Sequence, residues 1–291
     1  MLARDELFAR LRTVDNLPTI SQVLSELMSR LGSVDHNATD LADIIVRDPS
    51  LAARFLRLAN SAYYGLPCQV RDVTHALVLL GEQEVYKMVA TVSVFSSLAS
   101  SGSNMTHRRE QFWMHSVSCA VLANLLDKVL NLNNEGAAYT AGLLHDIGKV
   151  VLDQVFPREY AACLQLAESR GCSAWEVEEE LLGADHCEVG AWLAERWNLP
   201  PEICETIRSH HRFNEALIHR ELVGVVAFAD VLSHQEVDPE LQAEKQFWSE
   251  ETISWKDMQA LTGRELDPLK ILESAAKAGD EIRDMLAVLG H

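Results

Sequence analysis

The feature that most narrows the fold is the spacing of apolar residues, which recurs at three and four positions and never alternates. Ile20, Val23, Leu24, Leu27, Met28 and Leu31 make one such stripe, the pattern that buries one face of an α-helix. Helix punctuation frames these stripes. At Asp48-Pro49 an acidic N-cap precedes a proline, whose fixed φ and missing N–H suit the first turn; Leu51, Phe55, Leu56 and Leu58 follow. Asp72 opens a helix over Val73–Leu80 and Gly81 closes it, as a residue free to turn left-handed can. Gly32 reads as a helix stop and Thr39 as an N-cap, while Val85, Met88, Val89, Val92 and Phe95 continue the pattern to about residue 99. Without alternating β-branched segments no sheet is expected. The chain reads as all-α.

Three units are predicted. Residues 1–100 form an N-terminal helical bundle, and the polar stretch Ser100–Thr106 separates it from a second bundle over 107–235. That second unit begins with a long helix, Arg108–Leu130, with Trp113, Val117, Ala120, Val121 and Leu125 inward. A break at Asn131–Gly136 follows, then helical patterns over Glu159–Ser169, Trp175–Leu182, His186–Trp197, Pro201–His210 and Glu221–Ser233. The more polar residues 236–291 still carry Trp248, Trp255, Met258, Leu261, Leu269, Ile271 and Leu272. Side chains of that size require burial, so this part is expected to be a helical extension packed on the second bundle.

Charge excludes some partners. With 43 acidic against 25 basic residues the net charge is -18, which argues against nucleic acid and against an anionic membrane surface. The six cysteines form no C-x-x-C pair and fall mostly in apolar stretches; they read as free buried thiols in a reducing compartment. The opening Met1-Leu2-Ala3-Arg4-Asp5-Glu6 alternates charge too early for a signal peptide. The apolar run Leu222–Phe228 is too short to span a bilayer. A cytoplasmic protein is expected.

Against this background seven potential metal ligands stand in order: His115, His145, Asp146, His186, His210, His211 and Asp230. Imidazole suits Fe, Zn, Ni or Co, and a carboxylate can bridge two ions held between helices of a bundle. Each residue also has a plain structural reading. His145-Asp146 could be the polar end of an apolar helix, and Asp185-His186 a helix cap. His115, sharing a face with Gln111 and Cys119, could be a satisfied core histidine. His210-His211 is harder to set aside, because it lies between Arg208 and Arg212 and crowds positive charge. Asp230 follows Val225–Ala229, and a carboxylate so deep in an apolar run needs a metal ion or an arginine beside it. His36, His75, His107, His219, His234 and His291 read as surface or capping residues. No phosphate-binding loop, nucleophile elbow or Cys-His nucleophile stands out.

Several stretches resemble the HDOD domain, the HD-related output domain of bacterial signalling proteins. They are Leu17-Pro18, Asp48-Pro49-Ser50-Leu51, Leu58-Ala59-Asn60-Ser61-Ala62-Tyr63-Tyr64-Gly65, Ala76–Gly81, His145-Asp146-Ile147-Gly148-Lys149, Phe156-Pro157-Arg158-Glu159-Tyr160, Asp185-His186, Trp197-Asn198-Leu199-Pro200 and His210-His211. The resemblance covers about residues 10 to 235. It implies an N-terminal helical bundle joined to a C-terminal HD-like one, and a role in signal transduction through protein partners. It also implies a ligand order similar to that of the HD-GYP phosphodiesterases, which act on cyclic di-GMP. In that comparison His115, the His145-Asp146 pair, His186, His210, His211 and Asp230 hold the metal, and Lys149 neutralises phosphate. Two departures are visible. Gln111 stands where some of those enzymes have a glutamate, and Gly183-Ala184-Asp185-His186-Cys187-Glu188-Val189-Gly190 lacks the Gly-Tyr-Pro element.

Two functions follow. One is a signalling output module with a centre of one or two divalent ions, drawn from Fe, Mn, Ni, Co, Zn or Mg. The other is a metal-dependent phosphohydrolase with a nucleotide, cyclic dinucleotide or other phosphate ligand.

Overall fold

The structure, a computed structural model, describes residues 2–15, 17–20, 22–28, 38–61, 64–99, 106–134, 136–234, 253, 255–263, 271, 273, 274 and 282. Among these there is no strand. The helices are α1 (Arg4–Thr13), α2 (Gln22–Met28), α3 (Ala38–Val46), α4 (Pro49–Ala59), α5 (Val73–Leu80), α6 (Glu82–Ala99), α7 (Thr106–Leu130) and α8 (Ala137–Leu144). They continue with α9 (Ile147–Val155), α10 (Pro157–Arg170), α11 (Ala174–Leu182), α12 (His186–Arg196), α13 (Pro201–Ser209), α14 (Arg220–Ser233) and α15 (Trp255–Thr262).

The punctuation works as the sequence indicates. Asp48 accepts hydrogen bonds from the backbone N–H groups of Ser50 and Leu51, both at 3.0 Å. Asp72 accepts one from His75 at 2.7 Å, and Gly81 ends α5 at φ 82°. Thr39 differs: α3 begins at Ala38, which places it inside the helix. Leu31, Gly32, the break at residues 100–105, Trp248, Leu269 and Leu272 lie outside the described residues.

Helices α2 to α6 pack on one another, as do α7 to α14, and α6 meets α8 between them. The first helix joins the later set. The Leu2 N–H donates to the Leu181 carbonyl at 2.8 Å, and Arg4 pairs with Glu188 at 2.8 Å. α15 lies against α14 with Met258 fully buried.

Two helices are central. Every residue of α8 is buried, and α14 is buried from Leu222 through Asp230. A helix with no polar face belongs in the middle of a core, so whatever ionisable groups these helices carry are held there too. Close backbone approach then sets the geometry. A Cβ on Gly148 would stand 1.9 Å from the His186 carbonyl oxygen and 2.7 Å from the Gly190 nitrogen. One on Gly142 would stand 2.9 Å from the Ala120 Cα. These contacts bring the start of α9 onto the start of α12, and α8 onto α7.

Because the obstruction at Gly148 is backbone, a side chain cannot swing aside to relieve it. Gly148→Ala is expected to destabilise the fold by at least the ~1–3 kcal/mol typical of overpacking, read as a lowered denaturant midpoint. Gly171→Ala, where open space surrounds the added carbon but φ is 63°, is expected to cost less. Equal effects would remove the close approach as the cause.

Candidate metal centre

All seven sequence-identified residues converge. His115 projects from α7; His145 and Asp146 form the turn between α8 and α9; His186 opens α12; His210 and His211 follow α13; Asp230 lies on α14. Asp146 occupies the N-cap of α9, yet its side chain caps nothing. It faces inward instead. Its Oδ2 lies 2.6 Å from Lys149 Nζ, 3.3 Å from His115 Nε2 and 3.4 Å from His145 Nε2. Its Oδ1 lies 3.3 Å from His186 Nε2 and 3.7 Å from His210 Nε2. Asp230 Oδ1 lies 3.2 Å from His115 Nε2 and 3.6 Å from His145 Nε2, with Oδ2 3.8 Å from His211 Nδ1. Asp185 does cap, accepting from the Glu188 N–H at 2.9 Å, so capping and site assembly coexist at the start of α12.

The ring orientations follow from what each Nδ1 meets. His145 Nδ1 is 2.7 Å from the Gly142 carbonyl, and His210 Nδ1 is 2.9 Å from that of Ile207. A carbonyl only accepts, so Nδ1 carries the hydrogen in both rings. His186 Nδ1 lies 2.7 Å from Glu178 Oε2, a carboxylate oxygen. The Ser233 hydroxyl donates to the Asp230 carbonyl at 2.7 Å and therefore accepts from His115 Nδ1 at 3.1 Å. In the neutral rings, four Nε2 lone pairs thus point into the centre. His115 and His145 oppose theirs at 3.0 Å, and His211 Nε2 stands 3.2 Å from His186 Nε2. Asp146 Oδ1 and Asp230 Oδ1, both buried, have no hydrogen-bond partner.

Electron pairs and carboxylate oxygens facing one another in a water-poor interior require positive charge among them. Without a metal, protons supply it. Burial opposes ionisation of Asp146, but Lys149 and His145 hold its carboxyl well below the usual range. Burial likewise works against Asp230, and the His115 and His145 imidazoles beside it more than offset it. Burial would lower His186, yet the Glu178 carboxylate beside it leaves it raised well above an ordinary imidazole. His211 moves the other way, depressed by burial and by His210 and His186. Histidines ordered by partners on Nδ1, together with bridging-capable carboxylates, are consistent with binding a divalent metal. Four sets of potential ligand atoms lie within 4.8 Å of one another: His186-Cys187-His210-His211, His115-His145-Asp146, His115-Asp230-His234 and His145-His210-Asp230.

Three residues enter that the sequence reading left aside. His234, exposed at the end of α14, reaches to 3.4 Å of Asp230 Oδ1 and stacks on His115 at 4.4 Å. Its spacing of four from Asp230 is the signal that could have found it. Glu178, fully buried, also accepts the His186 backbone N–H at 2.8 Å. Cys187 places its sulfur 3.8 Å from His210 Nε2. No arginine meets Asp230 among the described residues; imidazoles do.

An all-α chain with a His-Asp pair between central helices and further histidines at helix ends has an HD-related architecture. Residues 17–213 match the family model of the HDOD domain, and the chain belongs to the HDOD family. An HDOD domain protein with unknown function from Geobacter sulfurreducens has a structure that superposes at TM-score 0.81 with 27% identity, covering 97% of this chain and 96% of that one. An uncharacterized protein of Treponema pallidum is 27% identical over 220 residues, 75% of this chain and 42% of that protein. Ribonuclease Y of Thermotoga maritima is 33% identical over 119 residues, 41% of this chain and 18% of the enzyme. The chain spans less than half the length of these two relatives. Among the described residues no helix is long and apolar enough to cross a membrane.

A pH dependence follows. Burial would lower His210, but Cys187 and Asp146 raise it from 6.5 to about 9. A folded-state pKa above the unfolded value contributes stability at low pH that is lost as pH rises through the folded pKa. Protein stripped of divalent ions by chelation is therefore expected to lose stability between pH 6.5 and about 9. Restored divalent ions should flatten that decline, since they replace the protons. A stripped protein with a flat profile over this window would show the imidazoles are not so coupled.

Proposed function

We propose that this chain is a signal-transduction output module of the HDOD type that acts through protein partners. In this reading His115, His145, Asp146, His186, His210, His211 and Asp230 hold one or two divalent ions that fasten helices together. The observation that carries the metal reading is the set of inward Nε2 atoms around two orphaned carboxylate oxygens. Closure supports a fastening role. His145, Asp146, His186 and His210 are each at most 1% exposed, and structural metal sites are closed where catalytic ones keep an open position. Helices α2 to α6 supply none of the seven ligands, so the packing of α6 against α8 serves something besides holding an ion. The net charge of -18 suits protein partners over nucleic acid.

One observation favours phosphohydrolysis as a second reading. Lys149 keeps 26% of its side chain exposed while its ammonium contacts Asp146, and His115 and His211 are likewise reachable at 14% and 16%. Bound divalent ions would supply Lewis acidity there. Lys149 would neutralise the oxygens of a nucleotide or other phosphate ligand. The likeness to part of ribonuclease Y is in keeping with that chemistry. A cyclic dinucleotide is a poorer candidate, because its reactive phosphate needs a shaped pocket to reach attack distance. Where a Gly-Tyr-Pro element would lie, α12 instead buries Cys187, Val189, Ala191 and Leu193 in the core.

Elemental analysis of protein purified without chelator tests the metal, with one or two divalent ions per chain expected. Free metal at 100 times its Kd should stabilise the fold by ~2.7 kcal/mol, and Asp146→Ala should abolish that gain. Single-turnover assays of Mn- or Fe-loaded protein against cyclic di-GMP, RNA and a generic phosphodiester separate the two functions. Cyclic di-GMP hydrolysis is expected to be slow or absent. Turnover of any of them near ~1 s⁻¹, within the usual enzymatic range and lost in Asp146→Ala, would make the chain a hydrolase.

A further inference from the structure

Resting on the metal reading above, we propose that Cys187 is an additional ligand, so that one ion position is a thiolate-bearing site. That position is formed by Cys187 Sγ with His186, His210 and His211, and with Asp146 Oδ1 at its edge. It would select Zn²⁺, Co²⁺ or Fe²⁺ over Mg²⁺ and Mn²⁺.

Three observations carry this. Potential ligand atoms of the four residues lie within 4.8 Å of one another. In particular, Sγ is 3.8 Å from His210 Nε2, and the Nε2 atoms of His186 and His211 are 3.2 Å apart. Ligand atoms around tetrahedral zinc stand about 3.3–3.6 Å apart, given bonds of ~2.0–2.1 Å to nitrogen and ~2.3 Å to sulfur, so the two measured pairs are already near that spacing and no pair needs to close by more than about 1.5 Å. Second, Asp146 Oδ1 is buried, lacks a hydrogen-bond partner, and lies 3.3 and 3.7 Å from His186 and His210 Nε2. It points to a cation at this position independently of the thiol. Third, other buried thiols find backbone acceptors: Cys119 donates to the Val226 carbonyl and Cys204 to that of Leu199. Cys119 also stands beside His145, but the partner of the fully buried Cys187 Sγ is an inward-facing His210 Nε2, and no backbone carbonyl among the described residues accepts from it.

The chemistry divides the centre. The set formed by His115, His145, Asp146 and Asp230 is nitrogen and oxygen only, compatible with harder ions. A thiolate adds a soft donor on the other side of Asp146, and softness sorts metals more sharply than charge does. Binding balances simply: the thiol loses its proton to solvent as the sulfur–metal bond forms, with no change of oxidation state.

The test uses the full chain reconstituted with Co²⁺ alone. Binding is followed by visible ligand-field bands and thermal shift, and ligation of sulfur by a thiolate-to-cobalt charge-transfer band in the near ultraviolet. The expected result is a charge-transfer band in the native protein and in Cys119→Ser, absent in Cys187→Ser and Cys187→Ala. Zn²⁺ affinity should fall at least ~10–100-fold in the Cys187 variants, the scale seen for loss of outer-sphere support alone, while Mg²⁺ affinity stays unchanged. X-ray absorption of the native Zn²⁺ protein needs no variant and should show one sulfur at ~2.3 Å. Co²⁺ binding with ligand-field bands but no sulfur ligation would overturn the proposal and leave the His/Asp centre standing. Failure to bind Co²⁺ or Zn²⁺ would overturn both.

Discussion

The structure depends on keeping two carboxylates ionised in its interior. Asp146 and Asp230 are 1% and 4% exposed, and an isolated carboxylate in such surroundings would neutralise instead of staying charged. Their ionisation is sustained by Lys149 and by imidazoles from α7, α8, α12 and α13. The site is therefore no pocket added to a finished core. It sits where the wholly buried α8 and the buried stretch of α14 from Leu222 through Asp230 come together, and its charge balance is part of what those helices need in order to pack.

Helix termini do much of the ordering. The last carbonyls of an α-helix lack partners within the helix. At the end of α8, His145 uses its Nδ1–H to satisfy Gly142 three residues earlier; at the end of α13, His210 does the same with Ile207. One bond thereby relieves an orphaned carbonyl, fixes a tautomer and aims Nε2 at the centre. At the end of α14 the Ser233 hydroxyl bonds back to the Asp230 carbonyl three residues away and accepts from His115. Three helices thus resolve a general problem of their ends in a way that places ligand atoms.

Much of this was legible because it is local. Caps at Asp48 and Asp72, the long helix before Leu130, and the order of histidines and aspartates are patterns of spacing. The apolar run before Asp230 announced a buried carboxylate, though not its partners, which are imidazoles and not arginine. What escaped depends on distance across the fold. Glu178 lies among Glu176, Glu179 and Glu180, and nothing in that acidic run marks the one that turns inward to His186. In the sequence Cys187 reads like any other buried thiol; only the fold sets it against His210, 23 residues on. The docking of α1 on α11 and α12 rests on Leu2, Arg4 and Phe8 meeting Leu181, Glu188 and Trp192. Those contacts leave no trace in local periodicity.

Helix α8 has a second set of neighbours, and these tie the centre to the rest of the chain. Seven residues before Asp146, the Tyr139 hydroxyl lies 2.7 Å from Thr91 Oγ1 on α6. The Thr91 hydroxyl donates to the Lys87 carbonyl, so Tyr139 is the donor between the helices. Beside it the Thr140 hydroxyl donates to Tyr86 at 3.4 Å. These hydroxyls are buried, so the register between α6 and α8 is specified by polar contacts as well as by packing. The one helix that ends in the His-Asp pair is thus also hydrogen-bonded into α6. An ion that fixed the end of α8 would act on an element both halves of the fold already share. A sliding apolar contact would absorb such a shift, whereas a hydroxyl relay has to be kept or broken.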